Sequence, residues 1–92
     1  MLTKCLSQQY GEKGVRVNAV LPGPIDTPLL RNSFTSEEDM QKSAQKNPMR
    51  KIGTPEDVAN VVFFLASDEA GFVNGAEYAV DGGESASSVY SK

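Results

Sequence analysis

The stretch that most constrains this chain runs from Val15 to Pro28: Val-Arg-Val-Asn-Ala-Val-Leu-Pro-Gly-Pro-Ile-Asp-Thr-Pro. β-branched and aliphatic residues fill its first half, Gly14 precedes it, and Pro22-Gly23-Pro24 cuts it off. An aliphatic run of that length between turn residues reads as a short buried strand over residues 15–21. The prolines, with φ fixed and no amide to donate, end it in a rigid loop rather than a helix. In open α/β sheets, ligands bind just beyond the carboxyl ends of the strands. The loop over residues 22–27 is therefore the first place to look for function.

The flanking segments supply the other elements. Leu2, Cys5 and Leu6 fall at i, i+3 and i+4, one helix face, and Gly11 offers a stop. No capping residue precedes this helix, so the pattern begins partway through an element. Thr35-Ser36-Glu37-Glu38 has the form of a capping box and predicts a helix over about 36–46. Acids open it and Lys42 and Lys46 close it, as the helix dipole favours. Met40 and Ala44 are its few apolar residues, so it reads as a surface or lid helix outside the core. Thr54-Pro55-Glu56-Asp57 announces the strongest helix, with a cap, a proline at the first position and acids in the first turn. Val58, Val61, Val62 and Leu65 form its stripe. Ala59, Phe63 and Phe64 widen that stripe until the helix wants burial on two sides. Gly75 then opens a second strand over 76–80, ending in Asp81-Gly82-Gly83. A strand, a long helical crossover and a second strand imply parallel pairing in one sheet.

Composition closes off several function classes. The chain of 92 residues carries a net charge of −3, which does not favour nucleic acid or an anionic membrane surface as partner. It contains no histidine, so Ser-His-Asp and Cys-His catalysis, and histidine-ligated zinc, are excluded within it. No metal ligands are expected. One cysteine, Cys5, cannot form an internal disulfide and fits a reducing compartment. On the apolar helix face it reads as a small buried hydrophobe. The longest apolar run, over 61–66, is far too short to span a bilayer, and the expected location is the cytoplasm.

Three motifs then resemble one family. Val15-Arg16-Val17-Asn18-Ala19-Val20 followed by Pro22-Gly23 and Thr27 resembles the penultimate strand and nicotinamide-side loop of the short-chain dehydrogenase/reductases. Arg50-Lys51-Ile52-Gly53-Thr54-Pro55-Glu56-Asp57-Val58-Ala59, with Phe64-Leu65-Ala66-Ser67-Asp68, resembles that family's last large helix and its approach. Gly75 through Val80-Asp81-Gly82-Gly83 resembles its final strand. The three occur in the family's order and cover nearly the whole chain up to Gly83.

The resemblance implies an α/β fold: the C-terminal part of a Rossmann-type doubly wound parallel sheet, incomplete on its own. Its order is helix, strand, lid helix, long helix, strand. Residues 1–83 would belong to the NAD(P)-binding domain, and 84–92 would form a flexible C-terminal tail. It further implies an oxidoreductase that passes hydride between NAD or NADP and an alcohol/carbonyl small molecule. Pro22, Gly23, Ile25 and Thr27 would be cofactor-binding. The Ile25 amide and carbonyl would serve the carboxamide, and the Thr27 hydroxyl the carboxamide or a phosphate. Residues 29–49 would form a substrate-side lid, with Leu29, Leu30, Phe34 and Met40 available as an apolar wall.

The family's Gly-rich turn, catalytic serine and Tyr-x-x-x-Lys pair do not occur in these residues. Tyr10, Tyr78 and Tyr90 all lack a lysine four positions on. No catalytic residue is expected here, and the chain alone should be catalytically silent. Asp26 reads as a loop hydrogen-bonder, Asn18 as a structural partner to neighbouring backbone, and Arg50 as an anchor of the loop before the large helix, with a substrate contact as the alternative. A homo-oligomer through the 55–68 helix and 76–80 strand is expected. The alternative is a catalytically inactive truncated protein that docks as an interaction module on full-length relatives. An incomplete gene model remains a third possibility.

Overall fold

A computed structural model describes residues 2–86. Its elements are α1 (Leu2–Tyr10), β1 (Ala19–Pro22), α2 (Pro28–Ser33), α3 (Glu37–Ala44), α4 (Pro55–Ala66) and β2 (Glu77–Val80). Single 3-10 turns follow α1 at Gly11–Lys13 and α4 at Asp68–Ala70. The architecture is α/β, and β1 and β2 pair in parallel with Ala19 opposite Glu77 and Pro22 opposite Val80. The expected C-terminal tail lies mostly outside the described residues. Its first residues, 84–86, take a helical turn, with the Ala86 amide donating to the Gly83 carbonyl at 3.1 Å.

β1 is shorter and later than the aliphatic run predicts. In residues 15–18 polar side chains take over part of the ladder, although the Val17 carbonyl still accepts from the Gly75 amide at 2.8 Å. The Val17 amide donates to Asn74 Oδ1 at 2.9 Å, and the Ala76 amide to Asn18 Oδ1 at 3.1 Å. Asn18 Nδ2 returns a bond to the Val73 carbonyl at 3.0 Å, so Asn18 does pair with neighbouring backbone. Gly75 turns the opposing chain with φ +74° and leaves the Ser7 hydroxyl where a Cβ would sit, 2.8 Å away. A side chain at 75 would collide with α1.

Arg16 joins the sheet to the large helix. Its Nη1 donates to the carbonyls of Leu65 at 2.8 Å and Val73 at 3.3 Å, and its Nη2 to Ser67 at 3.2 Å. One cation thus satisfies carbonyls at the C-terminus of α4, where the helix dipole is negative.

The caps differ from expectation in place. Ser36, not Thr35, caps α3, accepting from the Asp39 amide at 3.2 Å. The Thr35 hydroxyl instead donates to the Asp39 carboxylate. The reciprocal capping box belongs to α4: Asp57 N–H reaches Thr54 Oγ1 at 3.2 Å while Thr54 N–H reaches Asp57 Oδ2 at 2.8 Å. α2 was not foreseen, although Thr27-Pro28 carries the same cap-then-proline signal as Thr54-Pro55.

Burial is sparse. Among the described residues the buried apolar side chains are Met40, Ala44, Leu65 and Ala70. Two of these lie on α3, so the lid helix contributes to the core it was expected to stay out of. Cys5 is exposed, contrary to the buried reading, because among the described residues none covers that face of α1. On α4, Val62, Phe63 and Phe64 remain 48 %, 79 % and 44 % exposed, so the described residues cover only one side of the widest apolar helix. The radius of gyration is 15.9 Å, against about 12 Å for a compact domain of this length. These elements need further apolar surface to complete their packing.

Candidate functional site

The loop after β1 is fixed on two sides. On one, the Gly23 amide donates to the Val80 carbonyl at 2.9 Å, extending the β1–β2 ladder past Pro22. A Cβ on Gly23 would stand 2.7 Å from Asp81 Cβ and 2.9 Å from its Cα. Glycine is therefore required by close backbone approach. On the other side, Ile25 forms an isolated parallel bridge with Gly53, just before α4. The Gly53 amide donates to the Pro24 carbonyl at 3.0 Å, and the Asp26 amide to the Gly53 carbonyl at 2.7 Å.

That bridge has a chemical consequence. In a parallel pair, the flanking residues supply the bonding groups and the residue between them directs its own peptide groups the other way. The amide and carbonyl of Ile25 thus face away from Gly53 on a backbone held at both neighbours. One donor and one acceptor, adjacent and fixed, match a primary carboxamide.

Thr27 sits at the N-cap of α2. Its Oγ1 accepts from the Leu30 amide at 3.2 Å, which occupies an acceptor site but leaves the hydroxyl proton free to donate. Asp26 is held by Arg31 in a two-pronged pair, Nε to Oδ1 at 2.6 Å and Nη2 to Oδ2 at 2.9 Å. The hydrogen bond from Arg31 keeps the Asp26 carboxyl below its ordinary pKa, so it is an ionised loop anchor and not a proton donor near neutrality.

Beneath the loop lies a cavity of about 260 Å³ bordered by Pro24, Ile25, Lys51, Gly53, Asp57 and Gly82. Asp57 is likewise held below its ordinary pKa, chiefly by the Thr54 backbone amide, and Asp81 by its hydrogen bond from Ser85. Asn47 closes the floor. It is 3 % exposed and donates from Nδ2 to the Lys51 carbonyl at 2.9 Å. A Cβ on Gly82, whose φ is +64°, would lie 2.5 Å from Asn47 Oδ1, and one on Gly83 would press on Pro48. Asp81-Gly82-Gly83 is thus more than a strand end, because its glycines admit the 47–49 segment. The Met49 amide completes that junction on the Gly82 carbonyl at 3.3 Å.

All four residues expected to meet a cofactor lie on this one loop, with Pro22 paired to Val80 at its start and Thr27 capping α2 at its end. Sequence reasoning missed Gly53 and Asn47. Gly53 stood one position ahead of a recognised cap, so its isolated glycine signalled a close approach. Nothing local marks Asn47, whose role depends on a turn 35 positions away. Arg50 adopts φ +56° and donates from Nη1 to Gln45 Oε1 at 2.7 Å, anchoring the approach to α4 as anticipated. Tyr10 lies before β1 begins, its ring beneath the Lys13 ammonium at 5.7 Å.

Comparison with known proteins places this arrangement. Residues 1–85 match a family model described as enoyl-(acyl carrier protein) reductase, and the chain belongs to the short-chain dehydrogenase/reductase family. It is 43 % identical over 83 residues to 3beta-hydroxysteroid dehydrogenase 1 of Eggerthella lenta, covering 90 % of this chain and 32 % of that protein. It is 46 % identical over 89 residues to 2-(S)-hydroxypropyl-CoM dehydrogenase 3 of Xanthobacter autotrophicus, covering 92 % and 35 %. Among solved structures it superposes with a TM-score of 0.84 on a putative 2-deoxy-d-gluconate 3-dehydrogenase from Agrobacterium tumefaciens with bound NADP, at 35 % identity, covering 92 % of this chain and 35 % of that one. The chain spans about a third of the length of the curated relatives it matches.

Proposed function

We propose that these residues form the nicotinamide-side wall, substrate lid and a subunit interface of an NAD(P)-dependent oxidoreductase acting on an alcohol/carbonyl small molecule. The observation that carries this reading is the peptide pair of Ile25, freed from Gly53 and fixed on both sides. Its amide would donate to the carboxamide oxygen of the nicotinamide and its carbonyl would accept from the carboxamide nitrogen. Pro22 and Gly23 would let the backbone approach the ring, and the Thr27 hydroxyl would donate to the carboxamide or a phosphate oxygen. When bound, the nicotinamide supplies or accepts the hydride. This chain's part is to orient the ring and, through α2 and α3, to wall off water from the reacting carbon. The acid/base and the dinucleotide-binding turn would come from residues outside this chain. The dehydrogenase names of the relatives and the NADP in the structural neighbour support the same reading.

The purified 92-residue protein should therefore leave alcohols unoxidised with added NAD or NADP. Turnover by the chain alone would overturn the assignment of catalysis to other residues. In a 15N-labelled sample, nicotinamide mononucleotide should shift the amide signals of Gly23, Ile25, Asp26 and Thr27, and Ile25→Pro, which deletes the amide, should abolish the shifts. Shifts elsewhere with none in the loop would refute the carboxamide role.

The exposure of Val62, Phe63 and Phe64 favours a second reading. We infer that α4 and β2 dock on another copy or on a full-length relative, as in the interaction-module alternative. Coexpression and pull-down with such a relative tests this, and Phe63→Glu should abolish capture. Failure of the unaltered chain to associate refutes it.

A further inference from the structure

Between the lid helices and the approach to α4 lies a second groove, of about 330 Å³, bordered by Arg31, Met40, Ala44, Arg50, Lys51 and Ile52, with Glu37 and Gln41 at its margin. Three of the chain's nine lysines and arginines converge on it, although the whole protein is acidic. Of the acids nearby, Asp26 and Glu37 lie on Arg31, at 2.6 and 3.9 Å, and Asp57 acts on Lys51 through space without an ion-pair contact. Among the described residues neither Arg50 nor Lys51 has a carboxylate within ion-pairing distance. Arg50 holds its place in left-handed backbone that non-glycine residues seldom adopt, with its guanidinium steadied by the neutral Gln45 amide. A guanidinium bonded to a neutral acceptor keeps its full charge for another group.

The groove also adjoins the loop after β1. Lys51 borders both this groove and the cavity under Ile25. Arg31 is bound to Asp26, the residue after Ile25, and its amide donates to the Thr27 carbonyl at 2.9 Å. Met40, Ala44 and Ile52 supply apolar lining beside the cations. The volume lies within the range of small-molecule sites.

We propose that this groove takes the anionic end of an amphipathic small molecule, a carboxylate or an equivalent oxyanion on a short aliphatic body. Arg50 and Lys51 would receive the charge, and Met40, Ala44 and Ile52 the aliphatic part. This rests on the oxidoreductase reading and gives its substrate a charge class, placing the reacting carbon toward Ile25 and the anion toward Arg50.

The test is amide-resolved titration of the 15N-labelled chain at low salt with hexanoate, 1-hexanol and inorganic phosphate. Hexanoate should shift Arg31, Arg50, Lys51 and Ile52, bind at least tenfold more tightly than hexanol, and weaken at least fivefold between 20 and 300 mM salt. Arg50→Gln with Lys51→Gln should lower hexanoate affinity tenfold or more while leaving hexanol unchanged. Phosphate binding as tightly as hexanoate would overturn the amphipathic assignment and leave a simple oxyanion site. Equal response to hexanol, no response at these residues, or a collapsed spectrum that hexanoate does not disperse would overturn the proposal. Nicotinamide mononucleotide shifts at 23–27 without hexanoate shifts at 31 and 50–52 would sink this inference alone. The converse would sink the cofactor reading alone.

Discussion

Replacing Arg16 by methionine should be among the most damaging single changes outside the loop. The half-buried guanidinium donates to three carbonyls on two separate segments, Leu65 and Ser67 at the end of α4 and Val73 before β2. A hydrogen bond involving a charged partner contributes about 1.5–3 kcal/mol, but three bonds sharing one cation do not add independently. Methionine keeps the aliphatic stem, so the loss isolates the head group. A total of about 2–3 kcal/mol is expected, of which about 0.3–1 is the charge acting on the helix dipole. For a domain of this length, with a urea slope near 1 kcal/mol/M, the midpoint should fall by roughly 2–3 M. Circular dichroism during urea titration measures it. Arg16→Lys retains the charge but not the fork, and should recover about half of the loss. An Arg16→Met midpoint unchanged from the parent would refute the claim that this side chain ties α4 to the sheet. An Arg16→Lys protein as stable as the parent would refute the requirement for a planar fork.

Three further outcomes are expected. Gly23→Ala drives a Cβ into the Asp81 backbone and should lose about 1–3 kcal/mol. Faster hydrogen exchange at the Gly23 amide would report the opened Val80 bond, and unchanged protection would show the approach to be looser than the geometry requires. Thr54→Ala removes one half of the α4 capping box and should lose about 1 kcal/mol, read as a shift in thermal midpoint that Thr54→Ser restores. Asp26, Asp57 and Asp81 all have folded pKa values below the ordinary carboxylate value. Their stabilising contribution is complete above about pH 4 and is lost as pH falls through the folded values. Urea midpoints should therefore drop as pH falls below about 4, and less steeply in Asp57→Asn; a midpoint that does not fall on acidification contradicts the linkage.

The capping residues show what could be read without a structure. Thr54, Pro55 and Asp57 act within four positions of one another, so their geometry follows from local backbone chemistry and the helix start was legible. The end of β1 was legible only approximately, because Pro22 itself stays in the ladder and the Gly23 amide bonds beyond it. One-residue slips remained wherever two equivalent caps stood side by side, as with Thr35 and Ser36. α2 went unread although Thr27-Pro28 marks it, because a six-residue helix has too few apolar positions to show a period.

The loop over 22–27 was found from sequence as a rigid turn at a strand end, and family resemblance made it a cofactor loop. Its geometry was not legible. That Ile25 is bridged by Gly53, that Gly23 must be bare because Asp81 lies against it, and that Arg16 reaches α4 all involve separations of 28 to 58 positions. Sequence by itself determined the cap of α4, the approximate strand positions, the parallel α/β topology and the family, since each rests on local stereochemistry or ordered motifs. Only the tertiary structure decided which peptide groups the loop leaves free and where the unpaired cations gather. Those depend on contacts between segments that no local preference encodes.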